Sequence, residues 1–428
     1  MVNVLICRTE KLSGFIEAPP SKSYTHRAII ASALSKGTSK IFNSLFSDDT
    51  LATINACKRL GVFIEKVNNN LKVKGKKSLE PPKTPINCRL SAATLRFMTA
   101  VASLAKGKTV LTGEAGLLRR PVGPLVDALN QLGVSCESRN GYPPVTVYGG
   151  SLIGGETSIV GDVSSQFISS LLFISPLTKN KTKITLTTPL ESKPYVQLTL
   201  EILKKHKVKV KVLGDHEGYL VNENQKYQPY NHKVPGDFSS ASFLMAAAAI
   251  TGSQIKLKNL NVSTLNQPDM EILNILKKMG VEVSLEKNFV TVKGDTLRGI
   301  SLDAKDIPDL VPVCVVLACY AEGETRIKNV RRLRIKESDR VEAITSEIIK
   351  MGGKIHKIKN ELIVEGPCKL KGATINPYGD HRIAMACAIA ALGAEGKTKI
   401  LDVECIKKSY PNFLKDLKSL GGKVAFVK

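Results

Sequence analysis

Two short sequence markers recur with one period along the whole chain, and this repeat limits the possible folds more than any other feature. A glycine turn between an apolar segment and a β-branched segment occurs at residues 37, 107, 252, 323 and 396, with Asn180 in the remaining place. Successive positions are 70, 73, 72, 71 and 73 residues apart. A second marker, Leu60-Gly61-Val62 in the first copy, is replaced by His206-Lys207-Val208 in the third copy. The chain is therefore six copies of one supersecondary unit.

Each copy is predicted to be a β-α-β-α-β-β unit. The first helix, for example residues 243–250, is apolar on nearly every side, which predicts complete burial. The glycine marker suits the end of such a helix, because glycine adopts the left-handed conformation there. The second helix is amphipathic, as in residues 270–279, and two short strands such as residues 281–283 and 289–292 close the unit. No copy can bury both of its helices alone, so the copies are expected to share a core.

Length and cysteine usage indicate a two-domain intracellular protein. At 428 residues the chain exceeds the size of most single cores, so the six copies are expected to form two domains of three. The nine cysteines lack C-x-x-C spacing, and Cys314, Cys319 and Cys387 lie in apolar helices, which predicts reduced thiols in the core. Residues 2–7 are predicted to be a strand and not a signal peptide, and no apolar run is long enough to span a membrane. The expected location is the cytoplasm.

The formal net charge of +24 is the most unusual feature of the composition. Three explanations are open: nucleic-acid binding, an anionic small substrate, or a generally lysine-rich surface. The basic residues are spread over all six copies and are not concentrated in one stripe or tail. Aromatic residues make up 5% of the chain and Trp is absent, which leaves few side chains to stack on bases. The composition therefore disfavours nucleic acid as a partner.

The N-terminal ends of the six buried helices are the predicted location of functional residues. Their free amide groups and the helix dipole attract anions. The residues that open these helices are mostly Ser, Thr or Asp, and N-capping explains one such residue per helix. Capping does not explain the cations Lys22, Arg27, Arg96 and Arg382 in the first turns, where the dipole opposes a positive charge. A bound anion explains Lys22 and Arg382, whereas a structural role is an alternative for Arg96.

Further basic residues form three short clusters. Arginine binds phosphate and carboxylate groups in a bidentate manner, so the clusters predict a site for more than one such group. They are Arg119-Arg120-Pro121, Lys336-Glu337-Ser338-Asp339-Arg340 and Lys407-Lys408-Ser409-Tyr410-Pro411.

Two carboxylates near these clusters have the sequence context of general acid/base residues. Asp309 follows a proline and precedes an apolar helix, which predicts partial burial. Glu337 lies between two basic residues of its own cluster, so an ordinary ion pair is the alternative for it. His381, in an Asp-His-Arg motif, is either a proton shuttle or a structural histidine.

Taken in order, these motifs resemble the 5-enolpyruvylshikimate-3-phosphate synthase branch of the enolpyruvyl transferase family. Each motif alone is common, but together and in order they cover nearly the whole chain. The matching segments are residues 19–23, Arg27, and residues 125–132, 164–166, 192–195, 307–309, 336–340, 380–382 and 408–411.

The resemblance implies a two-domain inside-out α/β barrel built from six βαβαββ repeats, three per domain. A discontinuous domain of residues 1–19 and 235–428 would carry the acid/base and phosphoenolpyruvate side. An inserted domain of residues 20–234 would carry the shikimate 3-phosphate side. The implied reaction transfers the enolpyruvyl group of phosphoenolpyruvate to the 5-hydroxyl of shikimate 3-phosphate and releases phosphate, on the route to chorismate and the aromatic amino acids. The resemblance implies a monomer with no metal, organic cofactor, nucleic acid or membrane partner.

The resemblance also assigns roles residue by residue. Asp309 would accept the proton of the 5-hydroxyl, Glu337 would serve the methylene carbon, and His381 would support this chemistry. Lys22 would contact both substrates and protonate the bridging or leaving oxygen. The residues assigned to shikimate 3-phosphate are Ser23, Arg27, Ser164, Ser165, Ser192, Tyr195 and Lys336, with Gln166 reaching both ligands. Those assigned to phosphoenolpyruvate are Arg120, Arg340, Arg382 and Lys408.

The chain departs from the family pattern at both subsites. Ala92 stands where glycine is common, after Leu90 in place of a common polar residue, and its methyl group is expected to restrict the phosphoenolpyruvate subsite. Arg332 stands where many members have Asn against shikimate 3-phosphate. The related UDP-N-acetylglucosamine enolpyruvyl transferases carry a reactive cysteine in the loop of the second copy. Residues 113–120 contain no cysteine, which favours the shikimate branch.

Overall fold

The computed structural model describes residues 2–76, 78–261, 267–286 and 289–427. They divide into two compact units, one of Pro20–Val234 and the other of Met1–Pro19 together with Pro235–Lys428. Proline stands at both chain crossings, in the pairs Pro19-Pro20 and Val234-Pro235. Because proline fixes its own φ and disfavours helix in the residue before it, both connecting segments are extended.

Short strands and helices alternate along the whole described chain. The strands are β1 (Asn3–Cys7), β2 (Phe15–Glu17), β3 (Thr38–Phe42), β4 (Phe63–Val67), β5 (Asn70–Lys74), β6 (Ile86–Asn87), β7 (Gly107–Thr112), β8 (Ser135–Arg139), β9 (Tyr142–Gly149), β10 (Gly155–Ile159), β11 (Thr182–Leu186), β12 (Lys211–Leu213), β13 (Gly218–Val221), β14 (His232–Lys233), β15 (Gln254–Lys258), β16 (Glu282–Glu286), β17 (Phe289–Lys293), β18 (Ser301–Asp303), β19 (Gly323–Lys328), β20 (Lys354–Ile358), β21 (Glu361–Gly366), β22 (Thr374–Ile375), β23 (Lys397–Ile400) and β24 (Val424–Val427). The helices are α1 (Lys22–Ala33), α2 (Asp48–Arg59), α3 (Ala92–Ala102), α4 (Ala115–Leu118), α5 (Gly123–Gln131), α6 (Ser165–Ile174), α7 (Lys193–Lys205), α8 (Phe238–Ile250), α9 (Ile272–Lys278), α10 (Val311–Cys319), α11 (Arg340–Lys350), α12 (His381–Gly393) and α13 (Phe413–Ser419). Short 3₁₀ turns span Ser175–Leu177, Arg331–Ile335 and Val403–Lys408.

The strands form four-stranded sheets with one shared pattern. In the sheet β6-β7-β9-β8, the edge strand β6 precedes the buried helix α3 and runs parallel to β7, which follows that helix. The next two strands, β9 and β8, are antiparallel neighbours. The sheets β10-β11-β13-β12 and β18-β19-β21-β20 repeat this order. The predicted β-α-β-α-β-β unit is therefore confirmed.

Three of the sheets are completed by strands that are distant in sequence. Strand β2 lies before α1 but pairs in parallel with β15, which follows α8. Strand β14 lies before α8 but pairs in parallel with β3, which follows α1. The edge strands β2 and β14, which precede the two connecting segments, are thus exchanged between the first and the fourth repeat. The N-terminal strand β1 lies between β23 and β24, so the two ends of the chain complete the last repeat.

The first helix of each repeat is buried, as its composition predicts. All residues of α10 are buried, and α8 is buried from Phe238 to Ala249. The helices α8, α10 and α12 contact one another, which gives their unit a shared core. The second helices are amphipathic: α9 buries Ile272, Leu273, Ile275 and Leu276 and ends in two lysines. The helices begin earlier than their apolar runs suggest, because polar caps extend α1 back to Lys22 and α8 back to Phe238.

Cys314, Cys319 and Cys387 are buried, as their position in apolar helices predicts. All nine cysteines are free thiols, and seven of them are buried. Among the described residues, none of the helices combines the length and the apolar character that crossing a membrane requires.

The second marker adopts the same backbone in the third repeat although its glycine is lost. Gly61 has φ 84° and Gly280 has φ 97°, and Lys207 occupies the equivalent place with φ 63°. The amide of Val62 donates to the carbonyl of Cys57 at 3.1 Å, and Val208 repeats this bond to Leu203 at 3.0 Å. A lysine in the left-handed region is strained by roughly 1 kcal/mol relative to glycine. The helix ending is therefore retained against the preference of the residue.

We expect Lys207→Gly to raise the thermal midpoint of unfolding. The relief of strain exceeds the entropy that glycine adds to the unfolded chain, so the net gain is about 0.5 kcal/mol, or about 1–2 °C for a unit of this size. Differential scanning calorimetry measures the shift. Gly280→Ala is the matched control in the opposite direction, because its Cβ would lie 2.9 Å from the carbonyl oxygen of Thr296. Equal midpoints for Lys207→Gly and the parent would contradict the strain argument.

Candidate active site

In the unit of Pro20–Val234, the first turn of α1 presents Lys22 next to a buried carboxylate. Ser21 caps the helix by accepting a hydrogen bond from the amide of Tyr24 at 3.3 Å. The Nζ atom of Lys22 lies 3.1 Å from Oδ2 of Asp49, whose side chain is only 6% exposed. Asp49 belongs to the first turn of α2. Asp49 therefore orients Lys22, and sequence reasoning missed it.

Arg27 is enclosed by protein groups and holds two of the predicted substrate-binding residues. Its Nη1 donates to the carbonyl of Ser23 at 3.0 Å, and its Nη2 donates to the carbonyl of Tyr195 at 3.1 Å. Its Nε donates to Oγ1 of Thr199 at 2.7 Å. Burial lowers the pKa of Arg27 to about 10, which leaves it charged at neutral pH. The structure thus gives Arg27 a positioning geometry between α1 and α7.

Arg96 holds the residues at the start of α6 in the same way. Its Nη1 donates to Oγ of Ser164 at 3.0 Å and to Oε1 of Gln166 at 2.9 Å, while Nη2 donates to the carbonyl of Pro121 at 3.1 Å. Ser164 is also the N-cap of α6. The segment after α4 brings in the buried Arg120. A structural role for Arg96, left open by the sequence, is the one these contacts support.

The remaining predicted residues of this unit lie at helix starts. Ala92 is the first residue of α3, and Ser91 caps that helix by accepting from the amide of Thr94 at 3.2 Å. Ser165 is the first residue of α6. Ser192 precedes α7 in the left-handed conformation, with φ 58° and ψ 42°. Helix N-termini thus carry most of the predicted ligands of this unit.

In the unit of Met1–Pro19 and Pro235–Lys428, three cations surround Asp309. Nη1 of Arg340 lies 2.8 Å from Oδ1, Nη2 of Arg382 lies 3.0 Å from Oδ2, and Nζ of Lys336 lies 3.8 Å from Oδ1. The side chain of Asp309 is 20% exposed, in agreement with the predicted partial burial. Burial alone would raise the pKa of this carboxyl, but Arg382, Lys336 and Arg340 hold it well below its usual range.

Glu337 bridges two cations. Its Oε2 lies 2.7 Å from Nη2 of Arg340, and its Oε1 lies 3.1 Å from Nζ of Lys408. Its side chain is 13% exposed, so solvent screens these pairs only weakly. Glu337 is thus an ion-pair partner and at the same time a carboxylate beside the predicted anion ligands.

Asp380 is the most deeply buried carboxylate of the cluster. It caps α12, accepts from Nε of Arg340 at 2.8 Å and from Oγ of Ser338 at 3.2 Å, and is fully buried. Its contact with Arg340 was not predicted. Burial alone would lower the pKa of Arg340, but Asp380, Glu337 and Asp309 raise it above its usual value. His381 is buried, and its Nδ1 lies 3.7 Å from Oδ1 of Asp380, which is too long for a hydrogen bond.

Lys336 and Arg332 complete the cationic side of this unit. Burial lowers the pKa of Lys336 to about 7; Asp309 opposes that shift, and Arg332 and Arg340 add to it. Nη2 of Arg332 donates to the carbonyl of Lys305 at 3.1 Å, and the residue is 7% exposed. The cluster holds five cations and three carboxylates. Its excess of positive charge suits an anionic ligand.

A further buried carboxylate lies next to this cluster. Asp269 precedes α9 in the left-handed conformation and accepts a hydrogen bond from Oγ of Ser239. Burial raises its pKa to about 7, and the negative charge of Asp309 adds to the shift while Arg382 opposes it. Sequence reasoning gave no signal for Asp269. Within the described ranges, no group of three His, Cys, Asp or Glu side chains is arranged to hold a metal ion.

Comparison with known proteins identifies the family of the chain. A sequence model of the family EPSP synthase (3-phosphoshikimate 1-carboxyvinyltransferase) matches residues 6–417. The chain is 44% identical to the 3-phosphoshikimate 1-carboxyvinyltransferase of Methanocaldococcus jannaschii, with 99% of each chain covered. It is 41% identical to that of Methanococcus maripaludis, with 99% of this chain and 100% of the relative covered.

A solved structure confirms the predicted fold class. The EPSP synthase of Acinetobacter baumannii superposes with a TM-score of 0.84 at 27% identity, and 100% of both chains are covered. The two-domain inside-out α/β fold that the family resemblance implies is that of this enzyme. The chain belongs to the EPSP synthase family.

Proposed function

We propose that this chain transfers the enolpyruvyl group of phosphoenolpyruvate to the 5-hydroxyl of shikimate 3-phosphate and releases phosphate. The observation that carries the residue assignment is the cluster around Arg340, where Asp309 and Glu337 lie within hydrogen-bonding distance of Arg340, Arg382 and Lys408. Such a cluster provides both an anion site and acid/base groups. Phosphate release that requires both substrates tests the activity. Release with UDP-N-acetylglucosamine as the acceptor instead would overturn it.

Asp309 is the proposed base for the 5-hydroxyl. Its negative charge is balanced by Arg340 and Arg382, so it is a weak base while these ion pairs are intact. An anionic substrate that binds these two arginines takes over part of their charge. The pKa of Asp309 then rises toward the range in which it accepts a proton. Substrate binding thereby prepares the base.

Glu337 is the proposed acid/base for the methylene carbon. Lys408 and Arg340 hold its carboxylate in one orientation, and binding of phosphoenolpyruvate to the same cations frees it for proton transfer. Lys22, oriented by Asp49, is the proposed donor to the bridging or leaving oxygen. His381 supports this chemistry from the first turn of α12.

The two substrates have different proposed ligands. The proposed shikimate 3-phosphate ligands are hydroxyl, amide and cationic groups: Lys22, Ser23, Ser164, Ser165, Gln166, Ser192, Tyr195, Arg332 and Lys336, with Arg27 as the residue that positions Ser23 and Tyr195. The proposed phosphoenolpyruvate ligands are Arg120, Arg340, Arg382 and Lys408, beside Ala92. We further propose a monomer that acts in a reducing cytoplasm, which suits seven buried thiols.

Asp309→Asn tests the proposed base. The amide keeps the shape and can still accept from Arg340, so shikimate 3-phosphate binding should remain detectable. Turnover should fall about 100-fold or more, the usual contribution of a general base. Steady-state phosphate release and isothermal titration calorimetry measure the two effects. Asp295→Asn, at an exposed position of the same unit, is the control, and near-normal turnover of Asp309→Asn would place the base elsewhere.

The lowered pKa of Lys336 predicts that shikimate 3-phosphate binding depends on pH. With a pKa of about 7, its ammonium is present below pH 7 and is lost as the pH rises through 7. The dissociation constant should therefore increase about 10-fold or more between pH 6.5 and 8.5, where the ligand phosphate gains little further charge. Lys336→Arg stays charged throughout and should flatten this profile. The same slope in Lys336→Arg would assign the effect to another group, such as Asp269.

Ala92→Gly tests the restriction of the phosphoenolpyruvate subsite. Glyphosate competes with phosphoenolpyruvate in this family and is longer, so an extra methyl group should exclude it selectively. The cost of overpacking, roughly 1–3 kcal/mol, corresponds to about 5- to 150-fold in affinity. Ala92→Gly should lower the glyphosate inhibition constant by about 5-fold or more with a smaller change for phosphoenolpyruvate. Ala93→Gly, at the next buried position of α3, is the control, and equal constants for the parent and Ala92→Gly would refute the restriction.

A further inference from the structure

A buried series of hydrogen bonds runs through the unit of Pro20–Val234. Nζ of Lys205 donates to the hydroxyl of Tyr24 at 2.9 Å, and that oxygen lies 3.1 Å from Nδ1 of His232. Nε2 of His232 lies 2.8 Å from Nε2 of His206. Nδ1 of His206 lies 2.7 Å from the carbonyl oxygen of Gln228. These five residues are called the histidine chain below.

The two ends of the histidine chain determine where every proton in it lies. The carbonyl of Gln228 can only accept, so His206 carries its proton on Nδ1 and accepts at Nε2. His232 must then donate from Nε2 and accept at Nδ1 from the hydroxyl of Tyr24. The oxygen of Tyr24 in turn accepts from the ammonium of Lys205, which can only donate. One arrangement satisfies all five groups, and in it both imidazoles are neutral.

The surroundings of the histidine chain favour the neutral imidazoles. Burial lowers the pKa of His206 to about 4; the bond to Gln228 opposes this shift and the charge of Lys205 adds to it. Burial, His206 and Lys205 lower the pKa of His232 to about 2. The rings of Tyr227 and Tyr230 pack against His206, and Tyr230 also packs against His232.

The other repeats have apolar residues where the third repeat has His206. His206 occupies the place before the second glycine marker and is 0% exposed. A buried imidazole in that place costs desolvation that an apolar side chain avoids, unless hydrogen bonds compensate. The equivalent buried residues are Leu60, Leu132, Met279, Met351 and Leu420.

The histidine chain connects the elements that carry the shikimate 3-phosphate ligands. Tyr24 follows Ser23 in the first turn of α1. Lys205 and His206 end α7, the helix that Ser192 and Tyr195 begin. His232 belongs to β14, the last strand before the chain leaves the unit. The histidine chain therefore links α7 and β14 to α1.

We propose that Tyr24, His206 and His232 are positioning residues for shikimate 3-phosphate. This proposal rests on the proposed function. The protons ordered along the histidine chain fix the Lys22–Ser23 turn and the start of α7 in the geometry that binds the substrate. Ser35, at the other end of α1, strengthens this link because its Oγ lies 2.9 Å from Nδ1 of His206.

The ligand-free protein allows a direct test of the proton order. ¹⁵N imidazole NMR distinguishes the two neutral tautomers and the cation, because protonated and unprotonated ring nitrogens have well-separated shifts. We expect Nδ1–H for His206, Nε2–H for His232, and both rings neutral from pH 8 to pH 5.5. The exposed His356 serves as the internal reference. The opposite tautomer or a cation at pH 7 would overturn the histidine chain whatever the enzyme's substrate is.

Tyr24→Phe tests the positioning role with a minimal change of shape. It removes the hydroxyl that joins Lys205 to His232. We expect the KM for shikimate 3-phosphate to rise roughly 5-fold, the usual value of one buried hydrogen bond, with kcat changed less than about 2-fold. Tyr230→Phe is the matched control, because its ring packs on both histidines while its hydroxyl lies outside the histidine chain.

The outcomes of the kinetic test separate the two proposals. An unchanged KM in Tyr24→Phe, or an equal rise in Tyr230→Phe, would overturn the positioning role. A fall in kcat alone would also overturn it. If the parent enzyme does not use shikimate 3-phosphate, the proposed function fails, and the NMR result still decides whether the histidine chain exists. If Tyr24→Phe does not fold, His232→Gln provides the same comparison, because its amide can still donate to His206.

Discussion

The side chain of Arg340 fixes the relative placement of three helix starts, and the proposed chemistry depends on it. Its Nε binds Asp380 at 2.8 Å, its Nη1 binds Asp309 at 2.8 Å, and its Nη2 binds Glu337 at 2.7 Å. Asp380 caps α12, Asp309 stands just before α10, and Arg340 itself begins α11. Removal of one partner from such a buried network usually costs about 3–5 kcal/mol, because it leaves an uncompensated charge. One guanidinium thus holds the carboxylates and the helices together.

The same arrangement explains how carboxylates held in ion pairs can serve as bases. The cations around Asp309 hold its pKa well below the usual range, which makes it a weak proton acceptor, and Glu337 is paired with Arg340 and Lys408. Arginine carries five N–H donors in a rigid fork, so an incoming phosphate or carboxylate competes for the same donors. Each hydrogen bond that the substrate accepts from Arg340 or Arg382 in place of a carboxylate raises the pKa of that carboxylate. In the proposed mechanism, substrate binding to these arginines therefore activates Asp309 and Glu337.

The repeat, the buried first helices and most N-caps could be predicted because they depend on local sequence. Ser21, Ser164 and Asp380 are caps whose position follows from the apolar helix behind them. Pairings across the fold could not be predicted in this way. The contact of Lys22 with Asp49 joins two helices, and Asp48-Asp49 looks like any acidic helix start. The contacts of Arg27 likewise depend on how α1 packs against α7, which no spacing in the sequence encodes.

In the third repeat, a local departure from the repeat coincides with a buried, hydrogen-bonded imidazole. Its marker lost both the glycine and the preceding apolar residue, and drift alone would leave a weakened helix ending there. Instead, Lys207 keeps the left-handed backbone at an energetic cost, and the bond from Val208 to Leu203 retains the ending. The position before it holds His206, whose buried imidazole is satisfied by His232 on one side and Gln228 on the other. A buried imidazole at a place that the other repeats fill with Leu or Met costs desolvation, which these hydrogen bonds offset. The hydrogen bonds of His206 therefore relate the changed marker to the placement of α1 and α7, and so to the proposed substrate site.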